Sequence, residues 1–260
     1  KAEVYAHCPF SYFCQYGLSA KPVRVAELDV VKRGTLVHYV MENIVRSHGR
    51  GLADFTYEQR IANISAILRQ YADTTLGGYD NLDKSFLFML DRISLVLEKM
   101  ISRYSDELKN SDYTADRFEL KIGGDEIPPV EIPLDEGELI LTGYVDRVDV
   151  FAADGKTYVR VVDYKTNSKT FDISDIFYGL NMQMLIYLFA IVSGDLYKDA
   201  VGAGILYMPS VRPIHSVDRR VNDEELEKMD DGKMRMNGLL LDDKVSLSAM
   251  EHNLGGKFIP

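Results

Sequence analysis

The stretch VVDYKTN, residues 161–167, places an acid and a lysine two positions apart at the end of an apolar run. Just upstream the chain reads VFAADGKTYVRVV, residues 150–162. Its Asp154-Gly155 pair is the strongest short-range hairpin signal, because both central residues of a type I′ turn need positive φ. A two-residue loop there sets Ala153 against Lys156 and, counting back along both strands, Asp146 against Asp163. Directly opposed residues have Cβ atoms about 4.5 to 5.5 Å apart, and like charges at that separation destabilise a sheet. The rung makes sense if a divalent cation lies between the two carboxylates, or if one of them is protonated. The period of two puts Lys165 on the face of Asp163 and Tyr164 on the other. Two carboxylates and an ammonium therefore converge beside VRVV (159–162), which reads as a strand apolar on both faces.

Working outward, period-two alternation starts at residue 116 with DRFELKIG (116–123), VEIPL (130–134), GELILTGYVDRVDVF (137–151) and KTYVRVVDYKT (156–166). A helix is expected over 173–194 and a further strand at AVGAGILYMPS (200–210). Before residue 116 the rhythm is helical. The stretch 30–48 has Val37, Val40, Met41, Ile44 and Val45 on one face. A second helix follows Thr56, with Gln59 three residues later as a capping box and Gly77-Gly78 as the stop. A third covers 84–110. A last helix is expected near DEELEKMDDGKMRM (223–236). The order predicts an α/β core carrying a helical N-terminal layer. We read the chain as one domain: a mainly helical part over 1–115, an α/β core over 116–220 and a C-terminal segment over 221–260.

The bulk properties narrow the function. At 260 residues and 46% hydrophobic the chain can bury a full core. Its longest apolar window, MLIYLFAIV (184–192), is half of the roughly 18 residues that a membrane span needs. No secretion signal opens the chain, and the two cysteines, Cys8 and Cys14, are too few for a disulfide framework. A cytoplasmic protein with no membrane contact is the expectation, and a start at Lys1 reads as a piece of something longer. Thirty basic residues against 40 acidic ones, a net charge of −10, argue against broad affinity for nucleic acid, although a groove can be locally positive.

An Asp on one strand, a hairpin, then Asp-x-Lys on the next strand resembles the signature of the PD-(D/E)xK nuclease superfamily, here as Asp146, Asp163 and Lys165. GTLVH (34–38) with His38 on a helix, GYVDRVD (143–149) and QMLIY (183–187) resemble its RecB-like branch. YAHCPFSYFCQYGL (5–18) and GKFIP (256–260) are similar to the nuclease domains of the B subunits of bacterial AddAB helicase-nucleases. The resemblance implies a restriction-endonuclease-like core, a mixed central sheet flanked by helices. It implies Mg²⁺ or Mn²⁺ held by Asp146, Asp163, His38 and the backbone carbonyl of Tyr164. Lys165 would hold or deprotonate the attacking water, or stabilise the oxyanion. Gln183 and Tyr187, four apart on one helical face, would sit near the scissile phosphate, contact DNA or brace the site. His38 taken alone is equally a structural histidine, and Glu119 is either an acid beside the site or a solvated strand residue.

The implied function is that of a metal-dependent exonuclease domain, cleaving unwound single-stranded DNA in a helicase-nuclease that processes double-strand breaks. An AddA-type helicase subunit would be its partner. A non-catalytic DNA-binding or scaffold module, or a stand-alone RecB-like exonuclease, are the alternatives. In AddAB-type B subunits a cysteine matching Cys8 joins three others on a [4Fe-4S] cluster. Here only Cys14 accompanies it, so Cys8 is expected to be a free thiol, with a cluster possible only in a longer parent chain.

Overall fold

A computed structural model of the chain describes residues 2–20, 30–165, 172–178, 180–210 and 222–260. Thr166 and Asn167 of the opening stretch lie outside them, as does Gly179 of the helix expected over 173–194. Two short helices, α1 (Ala2–His7) and α2 (Pro9–Tyr12), precede a π-helical turn, Phe13–Gly17. The helical layer proper is α3 (Val30–His48), α4 (Tyr57–Thr75) and α5 (Lys84–Asn110). α4 opens as its sequence requires: Thr56 Oγ1 accepts from the Gln59 N–H at 3.3 Å, and Gln59 Oε1 accepts from the Thr56 N–H at 2.8 Å. In α5 the buried residues Leu90, Ile93, Leu97, Met100, Ile101, Tyr104 and Leu108 recur at spacings of three and four, which puts them on one face. Among the described residues no helix is long and apolar enough to cross a membrane.

The main sheet joins β1 (Thr114–Ile122), β4 (Gly143–Ala153), β5 (Lys156–Lys165), β6 (Ala200–Pro209) and β7 (Asn237–Leu240), in the order β1-β4-β5-β6-β7. β5 and β6 run parallel, connected through α6 (Ile173–Phe177) and α7 (Gln183–Ser193); the other neighbours are antiparallel. α8 (Asp223–Met234) and α9 (Lys244–Met250) flank β7 in sequence. One apolar cluster joins α3, α4 and α5 to Val162, Tyr164, Leu206 and Met208 of the sheet. A second joins α7, through Met184, Leu188 and Ile191, to Val148, Val159, Val161 and Ile205 on the opposite face. The architecture is the expected one, a mixed sheet with helices on both sides and a helical N-terminal region.

Three elements differ from the sequence reading. The strand expected over 137–151 is two: β3 (Gly137–Leu141) pairs with β2 (Val130–Leu134) in a separate two-stranded sheet, and from Gly143 the chain pairs with β1 instead. Alternation continues through Thr142, so the change of partner leaves no mark on the period. The helix expected over 173–194 breaks into α6 and α7. Asn181, left-handed at φ 55°, donates from Nδ2 to Asp175 Oδ2 at 2.5 Å, and asparagine tolerates that conformation because its amide can bond locally. VRVV is apolar on one face only: Arg160 is 2% exposed and ion-paired with Glu107 and Asp149.

Candidate metal and nuclease site

The hairpin forms as read. Asp154 and Gly155 have φ of 52° and 75°, and the pairing runs from Ala153↔Lys156 to Arg147↔Val162. There the ladder stops. At the next rung Asp146 Oδ2 accepts from the Tyr164 N–H at 2.9 Å, so a carboxylate replaces the backbone partner. The carbonyl of the same residue accepts from His38 Nε2 at 3.2 Å, while His38 Nδ1 faces Asp146 Oδ1 at 3.4 Å and Glu119 Oε1 at 3.8 Å. The backbone of Tyr164 thus holds an acid on one side and a histidine on the other.

Glu119 is the residue that the sequence left balanced. It sits in β1 between the pairs Phe118↔Arg147 and Leu120↔Val145, with a left-handed φ of 48° that is strained for a non-glycine residue in a strand. The twist aims its carboxylate at α3. A ligand atom each from His38, Glu119 and Asp146 lie within 4.8 Å of one another. Asp163 stands outside that trio: its Oδ2 is 2.6 Å from Lys165 Nζ, and the ammonium lies 5.3 Å above the Tyr207 ring. It is still close enough to act on Asp146. Burial first, and then the Asp163 charge, push the Asp146 carboxyl up to about 6. For His38, burial pulls the pKa down, but the neighbouring Glu119 and Asp146 carboxylates and the Tyr164 carbonyl outweigh it and leave the imidazole raised.

These donors suit a hard divalent cation: clustered carboxylates, one imidazole and a carbonyl, with negative charge in excess of what the protein neutralises. Ligation needs both Asp146 and His38 deprotonated, so affinity rises with pH. Mn²⁺ binding followed calorimetrically should begin to weaken as pH falls through the raised His38 pKa, and should weaken about tenfold per pH unit for each proton displaced once pH is below about 6. A pH-independent affinity would show that neither group is a ligand. The [4Fe-4S] group does not fit the residues present. Cys8 and Cys14 are free thiols that supply half of the four thiolates needed, and Cys8 Sγ accepts from the Ser11 N–H at 3.5 Å as the cap of α2.

Gln183 Nε2 donates to Tyr187 Oη at 2.9 Å, and Tyr187 is buried, 6% exposed, against the start of β4. The pair packs against Gly143, three residues before Asp146. Gly143 makes it possible, because a Cβ there would come within 1.7 Å of the tyrosine hydroxyl. Gly143→Ala should therefore cost about 1–3 kcal/mol through overpacking, read from the midpoint of a urea titration, and should lower any cleavage activity by shifting β4.

The sequence reading missed the charges behind the site. Arg147 and Asp149 of β4, Arg160 of β5 and Glu107 of α5 are each no more than 2% exposed. Asp149 Oδ2 accepts from Arg147 Nη2 at 3.0 Å and from Arg160 Nε at 2.9 Å, and Arg160 Nη2 donates to Glu107 Oε1 at 2.5 Å. Arg147 also lies 4.7 Å above the Tyr104 ring and donates to Tyr164 Oη at 3.2 Å. Burial alone would raise the Asp149 pKa, but the two guanidiniums hold it below the usual carboxylate range. A signal was available, since the hairpin register set by Asp154-Gly155 also pairs Asp149 with Arg160.

The sequence pattern of the PD-(D/E)XK nuclease superfamily matches residues 1–245. The chain is 33% identical, over 264 residues, to the B subunit of the ATP-dependent helicase/deoxyribonuclease of Clostridium novyi (strain NT), covering 98% of this chain and 23% of that protein. It is 34% identical over 272 residues to the protein of the same name from Thermoanaerobacter sp. (strain X514), with the same coverage. A third, from Clostridium perfringens (strain 13 / Type A), is 30% identical over 262 residues, again 98% and 23%. The chain spans less than a quarter of the length of these relatives. From the superfamily match across nearly its whole length, together with the hairpin acids and the Asp-x-Lys strand, the chain belongs to the PD-(D/E)XK nuclease superfamily.

Proposed function

We propose that this chain is the metal-dependent deoxyribonuclease domain of a bacterial helicase-nuclease and hydrolyses phosphodiester bonds of unwound single-stranded DNA. The observation that carries the reading is the meeting of His38, Glu119 and Asp146 at the Tyr164 backbone, one rung beyond the last β4–β5 pair, with Asp163 and Lys165 alongside. His38, Asp146, Asp163 and the Tyr164 carbonyl are the groups that would hold Mg²⁺ or Mn²⁺, and Glu119 joins them. When bound, the ion supplies charge neutralisation at the phosphoryl oxygens and a more acidic water. Lys165, tethered by Asp163, presents its ammonium where it can orient that water or offset the oxyanion charge. Gln183 and Tyr187 keep β4, and with it Asp146, in place.

The names of the relatives, which join an ATP-dependent helicase to a deoxyribonuclease, support an AddA-type helicase subunit as the partner that delivers the unwound strand. The net charge of −10 supports a division of labour in which the partner supplies much of the DNA affinity. Such a substrate places the protein in the cytoplasm. The test is cleavage of end-labelled single-stranded DNA with Mg²⁺, beside an EDTA control and the Lys165→Ala variant. Metal-dependent cleavage that falls about a hundredfold or more in the variant is the expected result. Failure of the wild-type chain both to cleave and to bind Mn²⁺ would overturn it in favour of a non-catalytic scaffold.

A further inference from the structure

Beyond the trio, β1 and β4 continue for three more rungs: Leu120↔Val145, Lys121↔Tyr144 and Ile122↔Gly143. Leu120, Val145 and Ile122 belong to the apolar cluster under α7, and Gly143 abuts Tyr187 of that helix. Alternation then turns the middle rung, Lys121 and Tyr144, to the opposite face. Glu119 and Asp146, whose side chains meet His38 of α3, mark that same face. Two residues along a strand is about 7 Å. The rung next to the candidate metal centre, on the centre's own face, therefore pairs an aromatic ring with an ammonium.

Both side chains are open. Tyr144 is 55% exposed and Lys121 is exposed. Among the described residues neither has a hydrogen-bond, ion-pair or ring partner. The turn after β1 lies close against the stem of Lys121, since a Cβ on Gly124 would come within 3.3 Å of the lysine Cβ. Asp125 and Glu126 line the same depression as Lys121, but Glu126 is held by Arg117 at 3.0 Å. An exposed tyrosine and an uncommitted lysine, side by side in a chain of net charge −10, have no folding role that the structure shows.

We infer that Lys121 and Tyr144 form a subsite for one unpaired nucleotide beside the scissile phosphate, the ring stacking on the base and the ammonium meeting the adjoining phosphate. The inference rests on the nuclease reading of the neighbouring site. A stacked base offers its π-face to any aromatic ring regardless of sequence, which suits an enzyme that must digest whatever strand arrives. A base inside a duplex is covered by its neighbours, so the same rung selects single strands.

The test is fluorescence anisotropy of a labelled oligothymidylate, with and without Ca²⁺, on the wild-type chain and three variants, with Mn²⁺ binding measured calorimetrically on each. Tyr144→Ala should weaken single-strand binding about 5- to 100-fold, while Tyr144→Phe, which keeps the π-face, stays within about twofold of wild type. Lys121→Gln should lower the slope of log affinity against log salt by about 0.7, one single-strand phosphate contact. With 2-aminopurine placed at successive positions, quenching should be localised to one nucleotide and vanish in Tyr144→Ala alone. Mn²⁺ affinity should be the same in all four proteins. Equal single-strand affinity in Tyr144→Ala and wild type would overturn the subsite, as would a wild-type chain that binds no single strand. Loss of Mn²⁺ binding by the wild-type chain would instead overturn the nuclease reading, and the metal-free anisotropy would still decide the subsite.

Discussion

Asp146→Asn should abolish metal-dependent cleavage, by about a thousandfold or more, and should at the same time make the metal-free chain more stable at neutral pH. The two effects have one cause. The carboxyl is 12% exposed, and burial with the nearby Asp163 charge raises its pKa to about 6, from an ordinary value near 3.8. The folded state therefore prefers the protonated acid. That preference stabilises the protein fully below the unfolded value near 3.8 and is lost as pH rises through about 6, so above pH 6 the ionised carboxylate is a burden. A rise of that size corresponds to about 3 kcal/mol, an upper figure, since solvent reaches the site; we expect a gain of about 1–3 kcal/mol. Asparagine keeps an oxygen for the Tyr164 N–H and removes the charge. Urea unfolding in EDTA should show the variant more stable at about pH 8 and level with wild type at about pH 4. A variant that is less stable at the higher pH would mean that Asp146 is held for folding and not for a cation, in contrast to the trade of stability for function expected at an active site.

The second large effect is expected behind the site. Arg147, Arg160, Asp149 and Glu107 form a buried set of two positive and two negative charges. Removing one member leaves an uncompensated charge in the interior. Arg160→Met or Glu107→Gln should each cost about 3–5 kcal/mol, whereas the double variant should cost well under their sum, because a buried pair replaced by neutral groups leaves nothing unpaired. A double-mutant cycle by urea unfolding measures this directly, and single costs below about 1 kcal/mol would show that the set is hydrated. The set also reaches the candidate site. Arg147 adjoins Asp146 in the chain and bonds the hydroxyl of Tyr164, whose backbone engages Asp146 and His38. Loosening it through Glu107, in α5, should weaken Mn²⁺ binding without touching any ligand.

Much of the site was legible because it depends on local rules. A type I′ turn admits few residue pairs, so Asp154-Gly155 set the β4–β5 register, and the register set which acids approach each other. Thr56 with Gln59 marked the start of α4 for the same reason, a cap being a contact between residues three apart. The failures fall where a choice is made between partners far apart in sequence. Thr142 separates two strands that share one alternating pattern, and only the competition between β2 and β1 decides where one ends. Asn181 breaks a helix whose apolar pattern runs on. Glu119 takes a left-handed φ that no neighbour in sequence asks for, and the interactions that reward it come from His38, in α3, 81 positions away along the numbering.

The sequence by itself determined an α/β core with a helical N-terminal layer, the hairpin register, and therefore that Asp146, Asp163 and Lys165 share one end of the sheet, because periodicity, capping and turn chemistry act over a few residues. The tertiary structure alone decided that Asp146 turns to His38 and Glu119 while Asp163 turns to Lys165, that Glu107 neutralises Arg160 from 53 positions away, and that Lys121 and Tyr144 lie bare on the next rung. Those outcomes depend on burial and on charges brought together by folding, and Coulomb energy follows distance in space, which the order of residues along a chain does not contain.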